Sequence, residues 1–237
     1  MTPLHAVEGS KASRIGSTDE GRVRSPDTAL FMHTGHTDEA KALVKRYHYS
    51  RRWPGNVMLC CTWHEAGGLF GDSGEAVAAC LFTVPPPAWS EPLWELSRLV
   101  RRDDADISLT KLIGAGVRFI QSKRMTDLII SYADTTQGHH GGIYQAGSWS
   151  YNGLRKPNET GVMVDGVFYP AWTARDNWGA SHANGLRKLG IDATPVFDTG
   201  KHLYWRALSR SGQRKADRLG LLSLPYPKPK AVPHDVA

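Results

Sequence analysis

A chain of 237 residues, 41% of them hydrophobic, buries a sizeable core, and a net charge of +6 with a pI near 9.3 suits a polyanionic partner. Cys60, Cys61 and Cys80 make an odd count without a C-x-x-C pair, which argues against a disulfide framework or a zinc site and for a reducing compartment. No apolar run approaches membrane length and the first residues lack the apolar core of a signal peptide, so a soluble intracellular protein without a membrane partner is expected.

Residues 1–26, rich in Ser, Gly, Arg and Lys and without an apolar period, read as a flexible basic arm. Ala29–Met32 is a candidate strand, and Thr37–Tyr47 a helix with Ala40, Leu43, Val44 and Tyr47 on one face. His48-Tyr49-Ser50-Arg51-Arg52-Trp53-Pro54-Gly55 breaks it. Val57–Trp63 and Ala76–Val84 predict an antiparallel hairpin that the prolines at 85–87 end. Leu93–Val100 alternates as a central strand, with Leu93, Glu95, Ser97 and Leu99 on one face and Trp94, Leu96, Arg98 and Val100 on the other. After the charged turn at 101–106, Ser108 caps a helix carrying Leu109, Leu112, Ile113, Val117 and Ile120, which leads to a strand at Leu128–Ile130. Strand, helix and strand with a parallel crossover therefore form the middle of the fold.

The strand at Leu128 opens into Ser131, Tyr132, Asp134, His139, His140, Tyr144 and Gln145, as a ligand site does at the carboxyl end of an α/β sheet. Ile143–Ala146 reads as a helical turn stopped by Gly147, with Trp149 and Tyr151 on the next strand. Downstream, Val162–Ala171 predicts a hairpin around Asp165-Gly166, Ala180–Leu189 a helix, Lys201–Leu208 a strand and Ser209–Leu222 a basic helix before a Pro- and Lys-rich tail. The expected organisation is a catalytic domain over residues 27–208 with a basic extension at 209–237.

This order of elements resembles the GNAT acyltransferase fold, a central mixed twisted sheet flanked by helices in the α/β class. His48-Tyr49-Ser50 with the arginine pair, Glu95-Leu96-Ser97-Arg98-Leu99-Val100, Ser131-Tyr132-Ala133-Asp134 and Gly142-Ile143-Tyr144-Gln145-Ala146 with Trp149 are similar to the Mom DNA-modification proteins of Mu-like phages. The resemblance implies an enzyme in the cytoplasm of the infected bacterial host that converts adenine in double-stranded DNA to N6-(carbamoylmethyl)adenine and so protects phage DNA from restriction. It implies His48, Tyr49, Asp134 and Tyr144 as catalytic residues, and Ser97, Arg98, Leu99, Arg101, Ser131, Tyr132 and Gln145 at the donor.

Adenine's exocyclic amine is a poor nucleophile, so a base is required, for which Asp134 or His48 is the candidate. Because that amine is paired inside the duplex, the base is expected to flip, with Arg51 and Arg52 on phosphates and Trp53, Trp149 or Tyr151 against the ring. The donor is left between acetyl-coenzyme A and glycyl-tRNA: the turn at 101–106 has no glycine for a pyrophosphate, although Arg101 and Arg102 offer side chains. Iron held by His48, Asp134 and His139 or His140 would be a two-histidine, one-carboxylate site, but the spacing does not require it. The alternatives are a basic DNA-binding protein without activity and an ordinary N-acetyltransferase acting on protein or small amines.

Overall fold

In a computed structural model, residues 13–14, 28–35, 37–65, 74–85 and 88–228 are described, so most of the basic arm and the end of the tail lie outside the described residues. The strands are β1 (Ser13–Arg14), β2 (Thr28–Thr34), β3 (Val57–Glu65), β4 (Ala76–Thr83), β5 (Trp94–Arg101), β6 (Leu128–Asp134), β7 (Ser150–Leu154), β8 (Glu159–Val164), β9 (Val167–Pro170), β10 (Thr194–Phe197) and β11 (Lys201–Ala207). The helices are α1 (Asp38–Tyr47), α2 (Leu109–Ser122), α3 (Gly142–Ala146), α4 (Ala171–Trp178), α5 (Ala183–Lys188) and α6 (Arg210–Arg218), with a 3-10 turn at Thr135–Gln137. Eight strands form one mixed sheet in the order β1-β2-β3-β4-β5-β6-β11-β7, and β10-β8-β9 form a second. Contacts divide the chain into two units: Met1–Ser131, Ile143–Trp149 and Trp205–Leu221, and Tyr132–Gly142, Ser150–Tyr204 and Leu222–Ala237.

The first unit is built on β4, whose residues from Val77 onward are buried on both faces. Ala79 and Leu81 pack with Cys60 and Val100 against Ala40, Leu43 and Val44 of α1. On the opposite face Cys80 Sγ lies 4.0 Å from the Leu112 carbonyl, and Gly116 of α2 lies against Phe82 and Cys61. Both helices are capped as expected: Thr37 Oγ1 accepts from the Ala40 N–H at 3.1 Å and Ser108 Oγ from the Lys111 N–H at 3.4 Å. Burial between two helices pushes the Cys60 thiol up to about 12 and raises Cys61 well above its ordinary value, so both thiols act as small core hydrophobes. Helix α6 packs within this unit: Asp127 accepts from Ser209 Oγ at 2.7 Å and pairs with Lys215 at 3.2 Å, while Arg218 grips Glu91.

The expected alternation of β5 fails at one residue. Its register with β4 passes from Leu81↔Arg98 to Phe82↔Leu96, so Ser97 is an extra residue, a β-bulge. Past the bulge the faces exchange: Arg98 and Val100 oppose Leu81 and Ala79 on the α1 face, whereas Leu96 and Leu99 oppose Phe82 and Cys80 on the α2 face. Arg98 therefore does not share a face with Trp94 and Leu96. Within this unit the parallel ladder to β6 pairs Trp94, Glu95 and Leu96 with Ile129, Ile130 and Ser131.

In the second unit β8 and β9 form the hairpin expected at Asp165-Gly166, whose φ angles of 49° and 76° are those of a tight primed turn. Val162 and Val164 pack with Ala174, Ala183, Leu186 and Ala193. Helix α4 and strand β10 are absent from the sequence reading, and the expected helix at Ala180–Leu189 is the shorter α5. No helix among the described residues is long and apolar enough to cross a membrane.

Gly116→Ala should destabilise the first unit. A methyl there meets the Phe82 ring and Cys61 Sγ at under 3.0 Å in a core already filled from both sides. Overpacking of this kind costs about 1–3 kcal/mol, and a urea midpoint equal to that of wild type would refute it.

Candidate functional site

Helix α1 ends at His48, whose backbone N–H still reaches the Val44 carbonyl while its ψ of 136° turns the chain out of the helix. The imidazole is buried, and its Nδ1 receives the Ser50 N–H at 3.1 Å and stands 2.8 Å from Ser50 Oγ. A backbone N–H can only donate, so Nδ1 presents its lone pair and the neutral ring carries its proton on Nε2. Tyr49 lies beside this ring, with centroids 4.4 Å apart, and is about half exposed. Arg98, brought to this face by the bulge, donates from Nε to the Arg52 carbonyl at 3.0 Å and from Nη1 to the Ser97 carbonyl at 2.7 Å. Burial holds its guanidinium below the ordinary value, while the nearby Tyr49 and Glu95 oppose that shift; arginine remains a cation at any working pH. Arg51 and Arg52 are exposed, and Trp53 is half-buried against the α1 core.

A second cluster stands on the other side of the bulge. Ser131 Oγ is 2.7 Å from the Leu96 carbonyl and 2.8 Å from the Tyr144 hydroxyl. Serine has one proton and a carbonyl only accepts, so Ser131 donates to Leu96 and the phenol proton of Tyr144 points to Ser131. Tyr144 is thus an internal anchor, buried against Trp149 at 5.5 Å between ring centroids, with its proton held within the protein.

The second unit contains Asp134, which caps the 3-10 turn by accepting from the Thr136 N–H at 3.0 Å and the Thr136 hydroxyl at 2.5 Å, with Lys201 Nζ at 3.5 Å. Burial alone would raise its carboxyl, but the Thr136 bonds and the Lys201 charge outweigh it and leave the pKa below the ordinary carboxylate value. A carboxylate held in that way is a weak base, so the expected role of Asp134 in removing a proton is revised to capping. The histidine loop is fixed by Tyr204, whose hydroxyl donates to the His140 carbonyl at 2.6 Å. Its ring fills the space a side chain at Gly141, with φ of +82°, would need. Tyr151 bonds His202 Nδ1 at 2.7 Å; burial raises the phenol, and burial together with the His140 charge lowers the His202 imidazole.

Two expectations change with these positions. Trp149 and Tyr151 are buried, at 1% and 7% exposure, so neither presents a ring to an unpaired base. Arg102 is held by Asp104, Glu65 and Glu75 and is not free to grip a phosphate, while Arg101 donates from Nη1 to the Ile107 carbonyl at 3.1 Å. No group of three or more His, Cys, Asp or Glu side chains able to hold a metal occurs among the described residues. Of the donor residues, Ser97, Leu99, Tyr132 and Gln145 are all partly buried. Lys201, the cation on Asp134, was not anticipated, because nothing local in a strand sequence marks a lysine as the partner of a distant carboxylate.

The model of the Mom protein family matches residues 29–228 of the chain. No curated protein matches it. Among solved structures, the ribosomal-protein-S18-alanine N-acetyltransferase of Escherichia coli aligns at 9% identity over 78% of this chain and 97% of its own, with a TM-score of 0.43. A Bacillus subtilis acetyltransferase in complex with CoA aligns at 10% identity over 77% and 99%, with a TM-score of 0.41. A GNAT family acetyltransferase from Elizabethkingia anophelis with acetyl-CoA bound aligns at 10% identity over 78% and 99%, with a TM-score of 0.38.

Asp134→Ala removes an N-cap, which costs about 1 kcal/mol. The folded pKa lies below the unfolded one, so the stabilisation is complete above the ordinary carboxylate value of about 4 and is lost as pH falls through the folded pKa. Urea unfolding of the variant and wild type should differ by a constant amount at pH 5–7 and converge in stronger acid. A gap that widens on acidification would contradict this assignment.

Proposed function

The chain belongs to the Mom protein family, and from that premise we propose that it transfers an acyl group to the exocyclic amine of adenine in DNA, yielding N6-(carbamoylmethyl)adenine. The observation that carries the reading is the bulge at Ser97. It sets Arg98 on the α1 face beside Tyr49, whose ring lies against His48, so a cation, a phenol and a ring N–H adjoin one another on that face.

The residues support a division of labour. His48, with its proton on Nε2, acts as a hydrogen-bond donor to the oxyanion that forms when the amine attacks the acyl carbon, and Arg98 adds positive charge to the same region. Tyr49 positions the acceptor ring from its half-exposed place beside His48. Tyr144 holds β5 and β6 in register through Ser131. Arg51 and Arg52 meet DNA phosphates, and Trp53 is the remaining stacking candidate for a flipped base.

The product constrains the donor. An N6-carbamoylmethyl group and an N6-glycyl amide are isomers, so a glycyl ester suffices: the N6–C bond forms, the ester C–O bond breaks, and the amine proton goes to the departing hydroxyl. The glycyl amine then attacks ring carbon 6 through a five-membered ring and displaces the amide nitrogen, with no oxidant. An acetyl thioester would leave the second nitrogen unsupplied and require oxidation of a methyl group. We therefore favour glycyl-tRNA over acetyl-coenzyme A.

Nucleosides from cells expressing the protein, separated and weighed by mass spectrometry, test the reaction; unmodified adenine throughout would overturn it. In a purified reaction, glycine labelled at both carbons and nitrogen should enter the base intact from charged tRNA. Product formed from acetyl-coenzyme A but not from glycyl-tRNA would refute the donor. His48→Ala should slow modification by about 100-fold or more while DNA affinity changes by less than about twofold.

A further inference from the structure

Within the first unit, a cavity of about 830 Å³ runs beside α2, on the sheet face opposite α1. Its wall carries Lys111 and Arg118 on α2 and Arg206 on β11, and among the described residues no aspartate or glutamate lines it. Lys111 and Arg118 are exposed and have no ion-pair partner among the described residues, and Arg206 is fixed by donating from Nη1 to the Gly147 carbonyl at 2.6 Å. The contrast with Arg102, ringed by three carboxylates, is chemical: here the positive charge is left uncompensated. Between the two α2 cations stand Ala115 and Gly114, and Arg118 Nη1 folds over the glycine, 3.3 Å from where a Cβ would sit. The same wall contains Trp63, whose indole N–H is the one buried side-chain donor or acceptor without a partner among the described residues. That donor is closed to solvent, so it marks a wall whose hydrogen bonding is incomplete rather than a direct contact.

Lys111 and Arg118 lie seven positions apart, about 10 Å along the helix axis, and Arg206 extends the positive charge to another element. Three cations spread over two elements suit a run of phosphodiesters. The groove lies on the α2 face while Arg51 and Arg52 follow α1, so a strand here is not the one whose adenine reaches His48. We propose that the groove beside α2 binds the phosphate backbone of the RNA that delivers the acyl group, leaving the α1 side to DNA. This rests on the aminoacyl-RNA donor reading above. Strand β5 contributes to both faces, with Leu99 on the α2 side and Arg98 on the α1 side, so an RNA end leaving the groove has this one strand to pass to come beside Arg98.

The test measures binding by fluorescence anisotropy across a salt series, using the full chain with an uncharged glycine tRNA and, separately, a duplex DNA of similar length. Lys111→Glu combined with Arg118→Glu alters exposed helix positions, and Arg187→Glu with Lys188→Glu changes net charge equally on α5, outside the groove. The groove pair should lower tRNA affinity at least about tenfold and reduce the slope of log K against log salt by about two. It should leave DNA affinity at the level of the α5 control. Equal losses for the two pairs, an unchanged tRNA affinity, or a loss confined to DNA would each overturn the proposal. Wild-type modification with glycyl-tRNA or with acetyl-coenzyme A is read separately by nucleoside mass spectrometry. A failed donor reading therefore shows there, and a failed groove assignment shows in binding alone.

Discussion

One inserted residue governs the chemistry this chain can present. Without the bulge at Ser97, strict alternation would direct Arg98 to the α2 face with Leu96, into apolar surroundings, and Leu99 to the α1 face in its place. With it, the guanidinium reaches the Arg52 carbonyl and comes beside Tyr49. An extra residue of this kind increases strand twist locally. The antiparallel pairing of β4 with β5 continues on both sides of it.

Roles in the site follow from hydrogen bonds already made. Buried polar groups must be satisfied, and each satisfied group has that much less freedom to act on a substrate. His48 Nδ1 is taken by Ser50, which leaves the ring a donor. The Tyr144 proton is taken by Ser131, whose own proton is taken by the Leu96 carbonyl, so this chain of three reads as a clamp across β5 and β6. Asp134 is taken by Thr136 and Lys201, which makes it a good cap and a poor base. The residue types suit acid–base work, and their partners assign most of them to holding the site in shape.

Charge is distributed by the same logic. Arg102 sits in a turn with acids on β3, just before β4 and on its own loop, and those carboxylates neutralise it. Lys111, Arg118 and Arg206 face a groove that no acid among the described residues lines, and they keep their field. A net charge of +6 says only that cations exceed anions; whether a cation can hold a phosphate depends on which carboxylates the fold places beside it.

The sequence by itself determined the elements whose stability is local. Thr37 and Ser108 as caps, the apolar periods of α1 and α2, the Asp165-Gly166 turn and the apolar strand at Leu128 are all visible because each signal lies within a few residues of its effect. The four motifs that resemble the Mom family also lie within the matched residues 29–228. What only the tertiary structure decided is everything set by a partner far along the chain. A bulge shows in pairing with β4 and not in the residues of β5, so the face of Arg98 could not be read from alternation. Trp149 and Tyr151 look like stacking aromatics until Tyr144 and Tyr204 cover them. Helix α4 was missed because its apolar residues lack a strong helical period, and packing against Val162 and Val164 stabilises it instead. Local signals specify elements, whereas the burial, pairing and charge environment of a side chain arise only when elements meet.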